Sequence, residues 1–143
     1  VPPGKAFFLP ISNWVLTYPE DVPANVKLKD AEAWMRSTLN AAFDGAIAAD
    51  LLCEVDGVAV KDPLKYRAQS AAYSIYLPED CASVTDWLSL QGVPYVAGWH
   101  YPNVSDGYWV MLAPLSAGYH TIRIKVGTYL DVTYELTVKK VKS

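Results

Sequence analysis

Residues 119–126, YHTIRIKV, and 130–138, LDVTYELTV, decide the fold. In the first run His120, Ile122, Ile124 and Val126 share one face, and Tyr119, Thr121, Arg123 and Lys125 the other. In the second, Leu130, Val132, Tyr134, Leu136 and Val138 face one way, and Asp131, Thr133, Glu135 and Thr137 the other. Successive side chains of a strand point to opposite faces. Period-two alternation in runs rich in β-branched and aromatic residues therefore marks half-buried antiparallel strands. The short link Gly127-Thr128-Tyr129 makes the two runs a hairpin.

The same pattern continues upstream. LLCEV-DG-VAV (51–60) is two apolar runs around Asp56-Gly57, a pair that favours the hairpin turn whose twist matches the strands. AYSIYL (72–77) alternates and stops at Pro78, and YWVML (108–112) is a further strand before a loop at 113–118. KAFFLPI near the N-terminus reads as a strand, with Pro10 placing it at an edge or a bulge because proline cannot donate to a ladder. One segment has the helical period instead. DAEAWMRSTLNAAF (30–43) puts Ala31, Met35, Leu39 and Ala42 on one stripe, with Asp30 as N-cap, Glu32 and Arg36 as an i,i+4 pair, and Gly45 as terminator. Residues 78–107 have weak periodicity and read as a long excursion, with a helical turn at 83–88. These elements predict a mainly β chain: one antiparallel β-sandwich domain over 1–143, of jelly-roll or immunoglobulin-like type, with one inserted amphipathic helix at about 31–44.

Composition narrows the function classes. At 143 residues the chain can bury a core without metals or many disulfides. A net charge of −3 argues against nucleic-acid binding through a basic patch, and Lys139, Lys140 and Lys142 read as a solvated tail. No apolar run approaches the ~18 residues of a membrane span. The chain opens at Val1 without Met, as a processed product or a fragment does. Cys53 and Cys81 are compatible with one disulfide and equally with two buried thiols. Ten Tyr and five Trp against three Phe make the aromatic set mostly amphipathic, suited to rims and interfaces.

VPPGKAFFLPI, VDGVAV, YRAQS, SDGYWVMLAPLSAGYHTI and DVTYELTV follow one another in this order. In these blocks, about a third of the residues, the chain resembles a group of uncharacterised exported bacterial proteins; the SDGYW…PL…G.HTI block is the most specific. The resemblance implies export to the cell envelope or beyond and a β-sandwich, and it implies no activity. Precursors of the group carry a signal peptide and a Trp-rich stretch ahead of the VPPGK-like block, so the resemblance also implies that a segment of the domain precedes Val1. YVAGWHYPNV (95–104) is an insertion relative to the group.

Catalytic chemistry finds little footing in the residues. There is no Gly-x-Ser-x-Gly elbow, and His120 shares the face of Ile122 and Ile124, as a hydrogen-bonded core or rim histidine does. His100 and His120 make a weak case for a metal-dependent enzyme. Asn103 and Asp106 are hard-oxygen candidates for calcium, but PNVSDG also reads as an ordinary Asx turn. Asp44, Asp50, Glu54 and Asp56 lie close in sequence, with nothing marking two of them as a catalytic pair. In DGYWVML the rings are strand residues of a core. Tyr95, Trp99, His100 and Tyr101 instead sit among Pro94, Gly98 and Pro102, where no periodic pattern buries them. They are the candidate contact set for a carbohydrate or a protein partner. The chain is thus expected to be a non-catalytic interaction protein without a cofactor. The alternative is a structural subunit of a filament or surface layer, with Ala6–Ile11 pairing to a neighbour's sheet edge.

Overall fold

The computed structural model describes residues 1–79 and 96–140. In chain order the elements are β1 (Phe7–Thr17), α1 (Leu28–Asp44), α2 (Ala46–Ala49), β2 (Leu51–Val55), β3 (Val58–Ala59) and a 3-10 turn at Pro63–Tyr66. There follow β4 (Arg67–Gln69), β5 (Tyr73–Leu77), β6 (Gly98–Leu112), β7 (Gly118–Val126) and β8 (Leu130–Val138). One four-stranded sheet has the order β3-β2-β7-β8, and the other runs β1-β6-β4 with β5 also paired to β6. The chain is mainly β, with two antiparallel sheets and one long inserted helix, as the alternation predicts. Its contacts gather into two compact units, one of 1–13, 42–68 and 107–143, the other of 14–41 and 69–106.

The first unit holds both hairpins foreseen from sequence. β7 and β8 pair from Gly118↔Val138 to Val126↔Leu130, and the buried face of β7 is His120, Ile122, Ile124 and Val126. β2 and β3 close through Val55↔Val58 around Asp56 (φ 52°) and Gly57 (φ 78°), the two positive φ values that a type I′ turn requires. On β2, Cys53 lies opposite Ile124 and is fully buried, and that burial pushes its thiol above the ordinary range. Its sequence partner Cys81 lies outside the described residues, as do Tyr95 and the turn expected at 83–88.

Helix α1 departs from its expected bounds in two ways. It begins at Leu28, so Asp30 is not the N-cap but an acid of the first turn, facing the positive end of the helix dipole. Its buried stripe is Ala31, Met35, Leu39 and Phe43, strict i+4 steps that replace Ala42 with the larger ring. Glu32 and Arg36 do pair, at 2.8 Å. Gly45 follows the last helical residue but at φ −96°, without a left-handed cap. One of the orphan carbonyls at this end, that of Phe43, accepts from the Tyr108 hydroxyl at 2.9 Å, and the two rings meet at 5.8 Å.

Among the described residues β1 is the end strand of its sheet, which suits Pro10. The larger correction concerns β6. Residues 98–107 are not a loop ending in an Asx turn; they belong to one fifteen-residue strand running to Leu112. Gly107 is needed there for close approach rather than for turning, since a Cβ at this position would lie 2.5 Å from the Ser12 carbonyl oxygen and 2.8 Å from Asn13 Cα.

Candidate functional site

The second unit carries the aromatic site on the paired strands β5 and β6. Tyr76 lies directly opposite Trp99, so both side chains leave the same face of the sheet. Their rings meet edge to face, centroids 5.5 Å apart. Trp99 is 75% exposed, and Tyr76 and Tyr101 are each 54% exposed. Trp99 and Tyr101 alternate with the buried His100 and Pro102, which keeps both rings on the outer face. Three large rings thus stand side by side in water on hydrogen-bonded backbone.

The underside explains why they stay there. His100 is only 4% exposed, so it does not belong to the exposed contact set with which the sequence groups it. Its Nδ1 lies 3.0 Å from Oε2 of Glu20 and 3.3 Å from the Tyr18 carbonyl, and its Nε2 lies 2.7 Å from the Val96 carbonyl. Glu20 itself is buried, its side chain 3% exposed. One residue on, the Tyr18 amide donates to the Pro102 carbonyl at 3.1 Å. The ladder slips by one residue between Tyr73↔Asn103 and Ile75↔His100, a bulge that takes up Pro102. Asn103 fixes the bulge, its Nδ2 donating to the carbonyls of Tyr73 (2.9 Å) and His100 (2.8 Å).

Beside the rings is a cleft of about 280 Å³ lined by Tyr18, Pro19, Leu28, Trp99, His100 and Tyr101 together with Val96 and Ala97. Among the described residues no Lys, Arg, Asp or Glu lines it. Its chemistry is ring faces, aliphatic carbon, the edge of the His100 imidazole and the tyrosines Tyr18 and Tyr101, suited to a ligand with apolar faces and hydroxyl groups.

The other candidates are placed differently. Asn103 and Asp106 are fully buried within β6, and Asp106 accepts from Gln69 Nε2 at 2.7 Å. Gln69 and the Ser70 carbonyl in turn accept from Arg36 of α1. Both calcium candidates therefore serve the interior of the unit, and among the described residues no three His, Cys, Asp or Glu side chains gather as metal ligands.

In the first unit three of the four clustered acids meet a cation, Asp44 with Arg67, Asp50 with Lys125 (2.7 Å) and Glu54 with Arg123 (3.6 Å), and Asp56 meets the His120 imidazole (2.7 Å). Asp56 also accepts from the Thr121 amide. The His120 hydrogen bond, and then the Thr121 bond, hold the Asp56 carboxyl below its ordinary range. Asp56, and then the Ser116 carbonyl, raise the His120 imidazole above its own.

Tyr76 and Glu20 are site residues that the sequence does not single out. Tyr76 has a faint signal, because it shares the polar face of AYSIYL with Ser74. Glu20 has none, since it meets His100 from eighty positions away. No family model matches the chain, and no curated protein or solved structure shows significant similarity to it.

Proposed function

We propose that the chain is an exported, non-catalytic binding protein that takes a neutral carbohydrate on the ring platform Tyr76, Trp99 and Tyr101. The carrying observation is the platform itself: three rings on one face of a strand pair, half to three-quarters exposed, where packing alone would bury them. The C–H face of a pyranose stacks on such rings, and paired strands hold them with little ordering left to do on binding. The absence of Lys, Arg, Asp and Glu among the described residues lining the cleft favours an uncharged saccharide over an acidic one or a charged peptide. Export is supported by the blocks shared with the exported group. No metal or cofactor enters this reading.

The test is a glycan array followed by titration of any hit with Trp99→Ala and Tyr101→Ala. Saturable binding to a neutral glycan, lost in Trp99→Ala and weakened in Tyr101→Ala while both variants melt like the parent, is the expected result. An empty array, or hits indifferent to both changes, would refute it.

A further inference from the structure

His120 of β7 is buried where three stretches of the first unit meet, and both of its ring nitrogens are engaged. Nδ1 lies 2.7 Å from Oδ2 of Asp56 on the β2–β3 turn, and Nε2 lies 2.9 Å from the Ser116 carbonyl of the 113–117 connection. A carboxylate and a carbonyl only accept hydrogen bonds, so both nitrogens must carry hydrogen, and only the imidazolium does. The two contacts are not equivalent. Asp56 is tied to β7 twice more, since its Oδ1 accepts from the Thr121 amide at 2.8 Å and its own amide donates to the Thr121 carbonyl at 2.9 Å. Ser116 is exposed, and its hydroxyl, 3.5 Å from Nε2, is too distant to stand in for the carbonyl. Between Ser116 and His120, Gly118 has φ 146°, an angle that glycine adopts readily and other residues do not.

Few charges compete for this imidazole. Leu136 of β8 lies opposite His120, with Tyr134 and Val138 beside it on the same face. Glu54, Arg123 and Glu135 lie on the other face of the sheet, and residues 113–118 carry no ionisable side chain. Among the described residues the titratable neighbours are therefore Asp56 and the Tyr134 phenol, and Asp56 is the charge that acts on the ring.

We infer that His120 is a protonation-operated latch, which holds the 113–117 connection while the ring is doubly protonated and releases it when Nε2 loses its proton. The remaining proton stays on Nδ1, because a carboxylate is the stronger acceptor. The turn thus keeps its hold on the ring, while the bare Nε2 faces the lone pairs of the Ser116 carbonyl. The Asp56 bond, and then the Ser116 carbonyl bond, raise the imidazole above 6.5. The latch is accordingly closed below that value and opens as pH rises through the folded-state value. It lies in the first unit and stands independently of the carbohydrate reading.

NMR of isotope-labelled protein between about pH 5.5 and about pH 9 tests it. The His120 ring nitrogens report titration and tautomer, the Ser116 carbonyl carbon reports its hydrogen bond, and backbone order parameters report the connection. One shared transition above pH 6.5 is expected, in which Nε2 alone loses its proton. Order parameters at Leu115, Ser116 and Ala117 should fall through it from about 0.85 to below about 0.6. The Thr121 amide should stay protected from hydrogen exchange on both sides of it. Asp56→Asn removes the charge that favours the proton, and should move the transition down by about one pH unit or more. His120→Gln should abolish it. A Ser116 carbonyl and connection indifferent to the His120 titration, or deprotonation at Nδ1 instead, would overturn the inference. So would loss of Thr121 protection in the same step, an unmoved midpoint in Asp56→Asn, or a transition that survives in His120→Gln.

Discussion

Replacing His100 by alanine is a demanding test of how the ring platform is supported. His100 offers Nδ1 to a carboxylate whose side chain is 3% exposed, and its Nε2 lies 2.7 Å from the Val96 carbonyl. The second carboxyl oxygen of Glu20, Oε1, is buried and has no hydrogen-bond partner among the described residues, so the His100 contact is part of what satisfies this buried group. Removing a hydrogen-bond partner so that a buried polar group is left unsatisfied costs about 1 to 3 kcal/mol. Against a total of roughly 5 to 15 kcal/mol for a whole domain, that is a large fraction. A chain of this size loses roughly 3 to 12 °C of Tm for such a change. Adding Glu20→Leu removes the stranded polar group as well, so the double variant should recover at least half of the loss. Urea titration and thermal melting by circular dichroism read both. A loss under about 1 kcal/mol in His100→Ala, or a further additive loss in the double variant, would refute the idea that this contact supports the strand beneath Trp99 and Tyr101.

Tyr108→Phe deletes the hydroxyl that serves the Phe43 carbonyl while keeping the ring contact; chemical denaturation should show a loss of about 1 to 3 kcal/mol, the cost of an unsatisfied buried acceptor. The Asp56–His120 pair gives a pH signature. His120 is raised from 6.5, so its contribution is fully present below that value and is lost as pH rises through the folded-state value. Asp56 is lowered from 3.8, so its contribution is present above that value and is lost as pH falls through the folded-state value. Tm followed from pH 6 to 9 should therefore fall more in the parent than in His120→Gln, and the two profiles should differ least at the alkaline end.

Much of the fold is legible because β7 and α1 each bury one face. His120, Ile122, Ile124 and Val126 alternate cleanly, and Ala31, Met35 and Leu39 recur at helical spacing. β6 is not legible for the opposite reason. From Pro102 onward nearly every side chain but Ser105 is buried up to Tyr108, so hydrophobicity has no period to show, and a bulge shifts what alternation remains. Asp106-Gly107 has the composition of a turn, yet its glycine makes room for the backbone of Ser12 and Asn13. Of the candidate site, Trp99 and Tyr101 stand out in sequence because rings between glycine and proline have no patterned burial. Tyr76 joins them only through a strand register spanning more than twenty residues, and His100 is drawn inward by Glu20, which nothing local announces.

The most direct measurement is the affinity of the purified protein for a neutral glycan identified on an array, with Trp99→Ala alongside at matched Tm. Saturable binding in the parent and none in Trp99→Ala is predicted. Equal binding by the two proteins, or no neutral glycan bound by either, would contradict the account.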